Sequence, residues 1–463
     1  MSSSSNCPHV GSPLLDPSFQ PASLWTREFQ QQCRTQGGRS ISLSISRPDG
    51  TGSTHQDLLL PDEEEFRSKN LLHLERTLKF LLWSRGGSRF AIEGAPELTH
   101  SLQTSYATGG PRAFDADFMK KLFGEELTIQ ESSEKPTQRQ TPTASAGNKL
   151  AGNRIGFDLG GSDRKCAALI DGEVVFSEEV PWSPYFETNP AYHFEGIMDS
   201  LRRAAAHLPT VDAIGGSTAG VVVDNRIKAA SLFRGVSEDL FSSEVEPMFE
   251  RIAQEWNNVP IRVENDGDVS ALAGAMGLND TGVLGLAMGT STATGYVDLE
   301  GQITPWLSEL AFVPIDYRIN GPVDEWSGDE GCAVQYLSQQ GVARLIPLAG
   351  LPIDHALPQA EKLVHVQEAI AKGDERAALL YQTIGSYLGY TIPQLTRFYD
   401  LRQVQLLGRV MSGSGGEIIL TTANQVLANQ FPELNQEVTL STPDEKTKRH
   451  GQAIAAASLP VLS

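Results

Sequence analysis

Beyond residue 153, strand and helix signals alternate, and they do so in two rounds. Arg154–Asp158, Cys166–Ile170 and Glu173–Val180 read as three consecutive strands. Tyr192–Leu208 reads as a helix, with Phe194, Ile197, Met198, Leu201, Ala205 and Leu208 on one face. A strand at Val211–Gly215, a helix at Leu240–Trp256 and a strand at Ile261–Val263 complete the first round. The second opens near Gly282, with strands at Val283–Met288 and Thr294–Leu299. Helices at Ala333–Leu345, His365–Lys372 and Arg376–Tyr399 follow, then a strand at Val404–Leu407, a helix at Gly415–Ala428 and a strand at Glu437–Leu440. Such alternation predicts an α/β fold of layered sheets. Its repetition predicts two similar lobes with a cleft between them.

The chain upstream differs in character. Residues 1–25 are rich in Ser and Pro and are expected to be loose. Residues 41–130 read as an N-terminal extension, with a buried helix at Leu71–Trp83, a short strand at Phe90–Ile92 and a helix at Phe114–Phe123. Residues 131–152 are polar and read as a linker. The first lobe is then 153–277 plus 448–463, and the second 278–447. Residues 1–150 carry 16 basic and 17 acidic side chains, whereas the remainder carries 21 and 40.

The whole chain carries 57 acidic and 37 basic residues, a formal charge of −20, which repels nucleic-acid phosphates. No nucleic-acid partner is expected. The four cysteines, Cys7, Cys33, Cys166 and Cys332, form no CxxC pair, which argues against a disulfide scaffold or a cysteine-ligated cluster. No apolar run approaches ~18 residues, so no membrane-spanning helix is expected. Met1–Asn6 lacks a basic and then apolar leader. A soluble, cytoplasmic protein is the expectation.

Chemistry concentrates in four places. Ile155-Gly156-Phe157-Asp158-Leu159-Gly160-Gly161-Ser162-Asp163-Arg164-Lys165 runs a strand into a glycine turn followed by basic residues. Gly160 and Gly161 let backbone N–H groups approach a polyphosphate, Ser162 adds a donor and Lys165 a charge. Asp158 is placed to hold Mg²⁺ through water. A plain β-hairpin with a Gly-Gly turn is the competing reading, and the stretch is no GxxxxGK[ST] loop. Gly289-Thr290-Ser291 repeats the strand-then-hydroxyl form. Gly408, Gly413, Gly415 and Gly416 flank the start of a helix, where a nucleotide can rest. Glu264-Asn265-Asp266-Gly267-Asp268 ends a strand and opens the helix Val269–Met276. Asp266 suits a general base and Asn265 a hydroxyl contact, while Asp268 reads as a helix cap.

In this order, these motifs and Gly215–Asp224 resemble the sugar-kinase/actin-type ATPase superfamily, and in detail the ROK family (repressors, open reading frames and sugar kinases). The resemblance covers roughly Arg154 to the C-terminus. It implies two ribonuclease H-like βββαβα lobes closing on ATP, Mg²⁺ and a sugar. It assigns Asp266 as the base that takes the proton of a sugar hydroxyl, and Asn265 and Glu309 as sugar contacts. A homodimer is left open.

The departures are specific. Where ROK kinases carry Glu-x-Gly-His and CxCGxxGCxE, this chain reads Glu309-Leu310-Ala311-Phe312 and then Glu325 to Val334. Phe312 stands at the histidine position, Cys332 alone survives of three cysteines, and Val334 replaces the final glutamate. One thiol cannot hold a tetrahedral zinc, so no zinc is expected. The expected function is an ATP-dependent sugar kinase. The alternative is a non-catalytic sugar-sensing regulator, although residues 41–129 show no clear helix-turn-helix. Iron–sulfur dehydratase activators need a cysteine pair that is missing.

Overall fold

The computed structural model describes residues 13–137, 150–443 and 445–462. The first twelve residues and positions 138–149 of the expected linker lie outside these.

Residues 13–25 are packed, contrary to expectation. Phe19 is buried between Tyr336 and Tyr387, and the Asp16 carboxylate accepts from Arg318, Arg344 and Tyr387. These partners lie far along the chain, so local composition could not signal them. Helix α1 (Ala22–Thr35) follows, burying Phe29 and Cys33. Strands β1 (Arg39–Ser46) and β2 (Gly52–Leu59) form a hairpin, and α2 (Glu64–Arg85) leads to β3 (Arg89–Glu93). Helices α3 (Pro96–Tyr106) and α4 (Ala113–Phe123) precede β4 (Thr128–Glu131). The sheet order is β2-β1-β3-β4, so the unit is α+β.

The first lobe is built on β5 (Asn153–Leu159), β6 (Asp163–Ile170), β7 (Glu173–Pro181), helix α5 (Pro190–Ala205) and β8 (Ala213–Thr218). A small hairpin, β9 (Val221–Val223) and β10 (Arg226–Ala229), follows. The helix expected at 240–256 is interrupted: α6 (Glu238–Leu240) passes through a wide turn at Phe241–Val245 before α7 (Met248–Glu255). Pro247 lacks the N–H needed to continue the helix. Strand β11 (Ile261–Asn265) completes a five-stranded sheet of order β11-β8-β5-β6-β7. Its β5–β7 meander is antiparallel, and β5, β8 and β11 are parallel.

Helix α8 (Asp266–Leu278) crosses to β12 (Val283–Met288) and β13 (Thr292–Val297). The third antiparallel strand of this lobe is reduced to a single bridge, Val297–Ile303. Helices α9 (Gln339–Ala349), α10 (Gln359–Ala371) and α11 (Glu375–Leu395), strand β14 (Gln403–Leu407), helices α12 (Gly413–Gln430) and α13 (Leu434–Glu437) and strand β15 (Thr439–Ser441) complete it. The expected helix start at Ala333 falls instead at Gln339, where Ser338 accepts the Gln340 N–H and caps α9.

Helix α14 (Glu445–Ala457) returns to the first sheet. It lies so close that a Cβ at Gly156 would sit 1.8 Å from the Ala453 carbonyl, and one at Gly215 would sit 1.7 Å from that of Ala456. Ala455 and Ala456 also join Val269 and Leu272 of α8 in one apolar cluster with Val283 and Val297. Two helices of small residues thus fill the junction between the lobes.

An apolar helix at Leu71–Trp83 is expected to be covered by the first lobe that follows the linker; the N-terminal unit packs on the second lobe instead. Phe80 stacks on Phe398 at 3.9 Å and Trp83 on Phe312 at 4.2 Å. Lys79 is fully buried, with Nζ 2.8 Å from Asp115 and in contact with Asp329 of the second lobe. Sequence periodicity shows that a helix is covered, but not by what. Among the described residues no helix is long and apolar enough to cross a membrane.

Candidate active site

The β5–β6 hairpin carries the first glycine turn. Its backbone closes on itself: Gly160 N–H donates to the Asp163 carbonyl at 2.9 Å, and Trp182 Nε1 donates to the Gly160 carbonyl at 2.7 Å. A Cβ at Gly161 would lie 1.9 Å from the Tyr185 hydroxyl, so a larger residue there would have to displace that side chain. The Ser162 hydroxyl donates to Asp163 at 2.8 Å, and Lys165 pairs with the same carboxylate at 3.3 Å. Asp163 therefore engages both groups expected to meet phosphate. It was missed as a site residue although it sits inside the motif.

Asp158 is buried at the end of β5, in register with Lys165 on one side and Ser217 on the other. Burial raises its pKa, offset in part by Ser217 and Lys165. Mg²⁺ keeps several waters and needs only one or two carboxylates beside substrate phosphates. A single carboxylate with a lysine nearby fits water-mediated holding, and among the described residues there is no acidic or histidine cluster that would grip a metal outright.

On the second lobe, Gly289, Thr290 and Ser291 form the β12–β13 turn, with Thr290 and Ser291 exposed. Gly408 sits at φ 92°, and a Cβ there would lie 2.5 Å from the Met288 carbonyl, so the ends of β12 and β14 meet. Ser412, Gly413 and Ser414 are exposed at the start of α12, and no side chain caps it. Its first N–H groups are open to an anion. Gly415 and Gly416 serve packing instead: Cβ atoms there would strike Tyr381 and the Met411 carbonyl at 2.4 and 2.0 Å.

The Asn265–Asp268 segment departs from its expected roles. Asn265 is the cap of α8: Oδ1 accepts from Gly267 N–H at 2.7 Å while Nδ2 donates to the Gly220 carbonyl at 2.7 Å. Asp268 is not the cap. It is buried and accepts the Tyr296 N–H at 3.3 Å, and burial and neighbouring Glu264, Glu309 and Asp266 push its pKa well up. Asp266 is half-buried. Desolvation by the surrounding walls, with the Asp158 charge added, raises its pKa to about 7. Glu309 rises to about 7 as well, from desolvation and then from Asp266. Asp158, Asp266 and Glu309, drawn from three separate stretches of sequence, thus share one electrostatic environment.

Of the three, Glu309 alone lines a cavity of about 430 Å³, within the ~300–1,000 Å³ of small-molecule sites. Glu264, Asn265, Asp268 and Glu309 form its polar wall, and Val222, Leu307 and Phe123 are among its apolar groups. Arg47 and Phe123 come from the N-terminal unit; neither belongs to any motif in the sequence. Phe312 and Cys332, at two of the positions where the resemblance implies zinc ligands, lie in apolar surroundings: Ala311, Cys332 and Val334 form a cluster with Phe312 against it. Burial pushes the Cys332 thiol up to about 12, so it stays protonated.

No family model and no curated protein matches the sequence. Among solved structures, the chain is similar to a ROK hexokinase from Thermus thermophilus at 20% identity, TM-score 0.52, over 66% of this chain and 97% of that one. It is similar to a ROK family glucokinase from Streptomyces griseus in complex with glucose and AMPPNP at 19% identity, TM-score 0.50, over 67% and 99%. It is also similar to a ROK family transcriptional regulator, a homolog of the E. coli MLC protein, at 18% identity, TM-score 0.53, over 67% and 79%. The chain has the two-lobed α/β fold that these sugar kinases and this regulator share.

Proposed function

We propose that this protein is a ROK-type sugar kinase, transferring the γ-phosphoryl group of ATP to a hydroxyl of a sugar or sugar derivative. The observation that carries this reading is Asp266: a half-exposed carboxylate between Asn265 and Asp268, which line an acceptor-sized cavity, with a pKa raised to about 7. A general base works best when its pKa lies near the operating pH. Asp266 takes the acceptor proton as the hydroxyl oxygen attacks phosphorus and the bond to the β-phosphate oxygen breaks, releasing ADP. Glu309 and Asn265 face the acceptor. The phosphates run between the Gly160–Ser162 turn and Lys165 on one lobe and the Gly289–Ser291 turn, Gly408 and Gly413 at the α12 N-terminus on the other. Asp158 would hold Mg²⁺ through water, and the ion would neutralise phosphate charge. Closure of the lobes excludes water. A cytoplasmic setting goes with this reading.

A screen for ADP release with Mg-ATP and a panel of sugars tests it; no release with any sugar would reject it. The alternative is a sugar-sensing regulator without turnover, favoured by the loss of polar groups at Phe312 and Val334. Against a DNA-reading version stands the N-terminal unit, a four-stranded sheet welded to the second lobe rather than a helix-turn-helix. Sugar binding without ADP release would select the sensor.

A further inference from the structure

The N-terminal unit reaches the acceptor cavity by two routes. First, the last turn of α2 runs beside the loop that carries Glu309. The N–H groups of Leu307, Ser308 and Glu309 donate to the carbonyls of Arg85, Ser84 and Trp83 at 3.2, 3.0 and 2.9 Å. A helix C-terminus leaves its last carbonyls without intrahelical partners, and here the Glu309 loop takes three of them. The loop is fixed from its other side too, since the Thr294 hydroxyl donates to the Ser308 carbonyl, with Ser308 held at φ 52°. Second, Arg47 and Phe123 form part of the cavity wall. Arg47 donates to the carbonyls of Arg85 and Pro305, tying the wall to the same junction. Gly86, at φ 72°, lets the pieces meet: a Cβ there would lie 2.9 Å from the Phe123 ring and 3.0 Å from Leu307 Cβ.

We propose that the N-terminal unit is a working part of the acceptor site: α2 positions Glu309, while Phe123 and Arg47 shape the cavity and so select the sugar. The inference rests on the acceptor reading of this cavity. Without the N-terminal unit the cavity would lose Arg47 and Phe123 from its wall, and the Glu309 loop would lose its three hydrogen bonds to α2. Phe123 adds apolar surface where Leu307 and Val222 already provide it, so substituents on the sugar ring are judged there.

The test uses the full chain and four probes: D-glucose, D-glucuronate, N-acetyl-D-glucosamine and N-acetyl-D-mannosamine. Binding is read by calorimetry without nucleotide, and turnover by ADP release. Phe123→Ala should shift the ratio of affinities between acetylated and plain sugars by about tenfold, the scale on which one apolar contact discriminates. The change should fall on KM more than on kcat, with the unfolding temperature little altered. Arg47→Lys, which keeps the charge but loses the planar fork, should change the ratio involving glucuronate. Unchanged ratios in both variants overturn the inference and leave the kinase reading intact. Sugar binding without ADP release in the wild type ends the kinase reading, and the binding ratios still decide the inference. Wild-type binding of none of the four sugars removes the acceptor assignment and the inference with it.

Discussion

Asn265 Oδ1 accepts the Gly267 N–H at 2.7 Å, and Asp266 shares that donor at 2.9 Å. The helix cap therefore survives a change at position 266. Asp266→Asn should keep the fold and nucleotide binding while turnover at saturating sugar falls ~10²–10⁴-fold, the usual weight of a general base. Near-normal ADP release from this variant would remove Asp266 from the mechanism. Asp268→Asn is no neutral control, because Asp268 accepts from Tyr296 and lines the cavity; it should raise the acceptor KM.

The same carboxyls set a pH dependence. A base with a pKa of about 7 must be ionised to act, so kcat/KM should rise with pH through about 7. Stability should run the other way. Asp266 and Glu309 are raised from ordinary values of 3.8 and 4.5 to about 7, so folding favours their protonated forms. Their contribution is present below the unfolded values and is lost as pH rises through about 7. Glu309→Gln should therefore unfold at a higher temperature than the wild type near pH 8, and the two should converge near pH 4. Thermal unfolding across that range checks the sign.

Asp163 engages Ser162 and Lys165, the two polar groups of the first turn. A carboxylate there also repels phosphate. Asp163→Asn should lower the KM for ATP several-fold while leaving the sugar KM alone. A rise in the ATP KM would mean that Asp163 orders the turn for its ligand.

Lys79 is sealed among Asp115 and Asp329. Burial works against its charge, and the two carboxylates overcome that and hold its pKa up. Lys79→Met leaves the buried Asp115 without its ion partner, while Asp329 keeps Arg112, and should cost about 3–5 kcal/mol in denaturant unfolding. Adding Asp115→Asn, which removes the charge left unpaired, should recover part of the loss. A silent Lys79→Met would show that the cluster contributes nothing to joining the N-terminal unit to the second lobe.

Gly215→Ala would put a methyl 1.7 Å from the Ala456 carbonyl. Backbone has to move, so α14 should lift from the first sheet and the amides of Ala453–Ala457 should lose protection in hydrogen exchange. Wild-type protection there would show that the seat can widen without strain.

Much of the lobes was legible because hydrophobic period and turn chemistry are local signals. Strands at 154–158 and 283–288 and the helix after Asn265 lie where the pattern put them. Helix α1 was missed although Trp25, Phe29 and Cys33 repeat at every fourth position; the Ser- and Pro-rich run before it hid the signal. Partnerships across the chain left no local trace. Asp16 finds Arg318 and Arg344, 302 and 328 positions away, and nothing near Arg47 or Phe123 marks a cavity wall. Asp163 was plain to see, but a turn carboxylate reads as solvated until its partners are in view.

The junction between the N-terminal unit and the second lobe bears on how the chain is made. Lys79 meets Asp329 across 250 positions, with residues 153–277 of the first lobe synthesised in between. That lobe in turn awaits its cover, since Arg154 donates to the carbonyls of Ala457 and Pro460, 303 and 306 positions on. Each closure encloses or overlaps the other, and contacts of such separation form late. A nascent chain emerging from the ribosome thus carries α2 with Phe80 and Trp83 lacking their second-lobe partners, Phe398 and Phe312, until residues near 400 have been translated. Ribosome-stalled chains ending before residue 330 should bind holdase chaperones, and release from them should coincide with translation past Phe398.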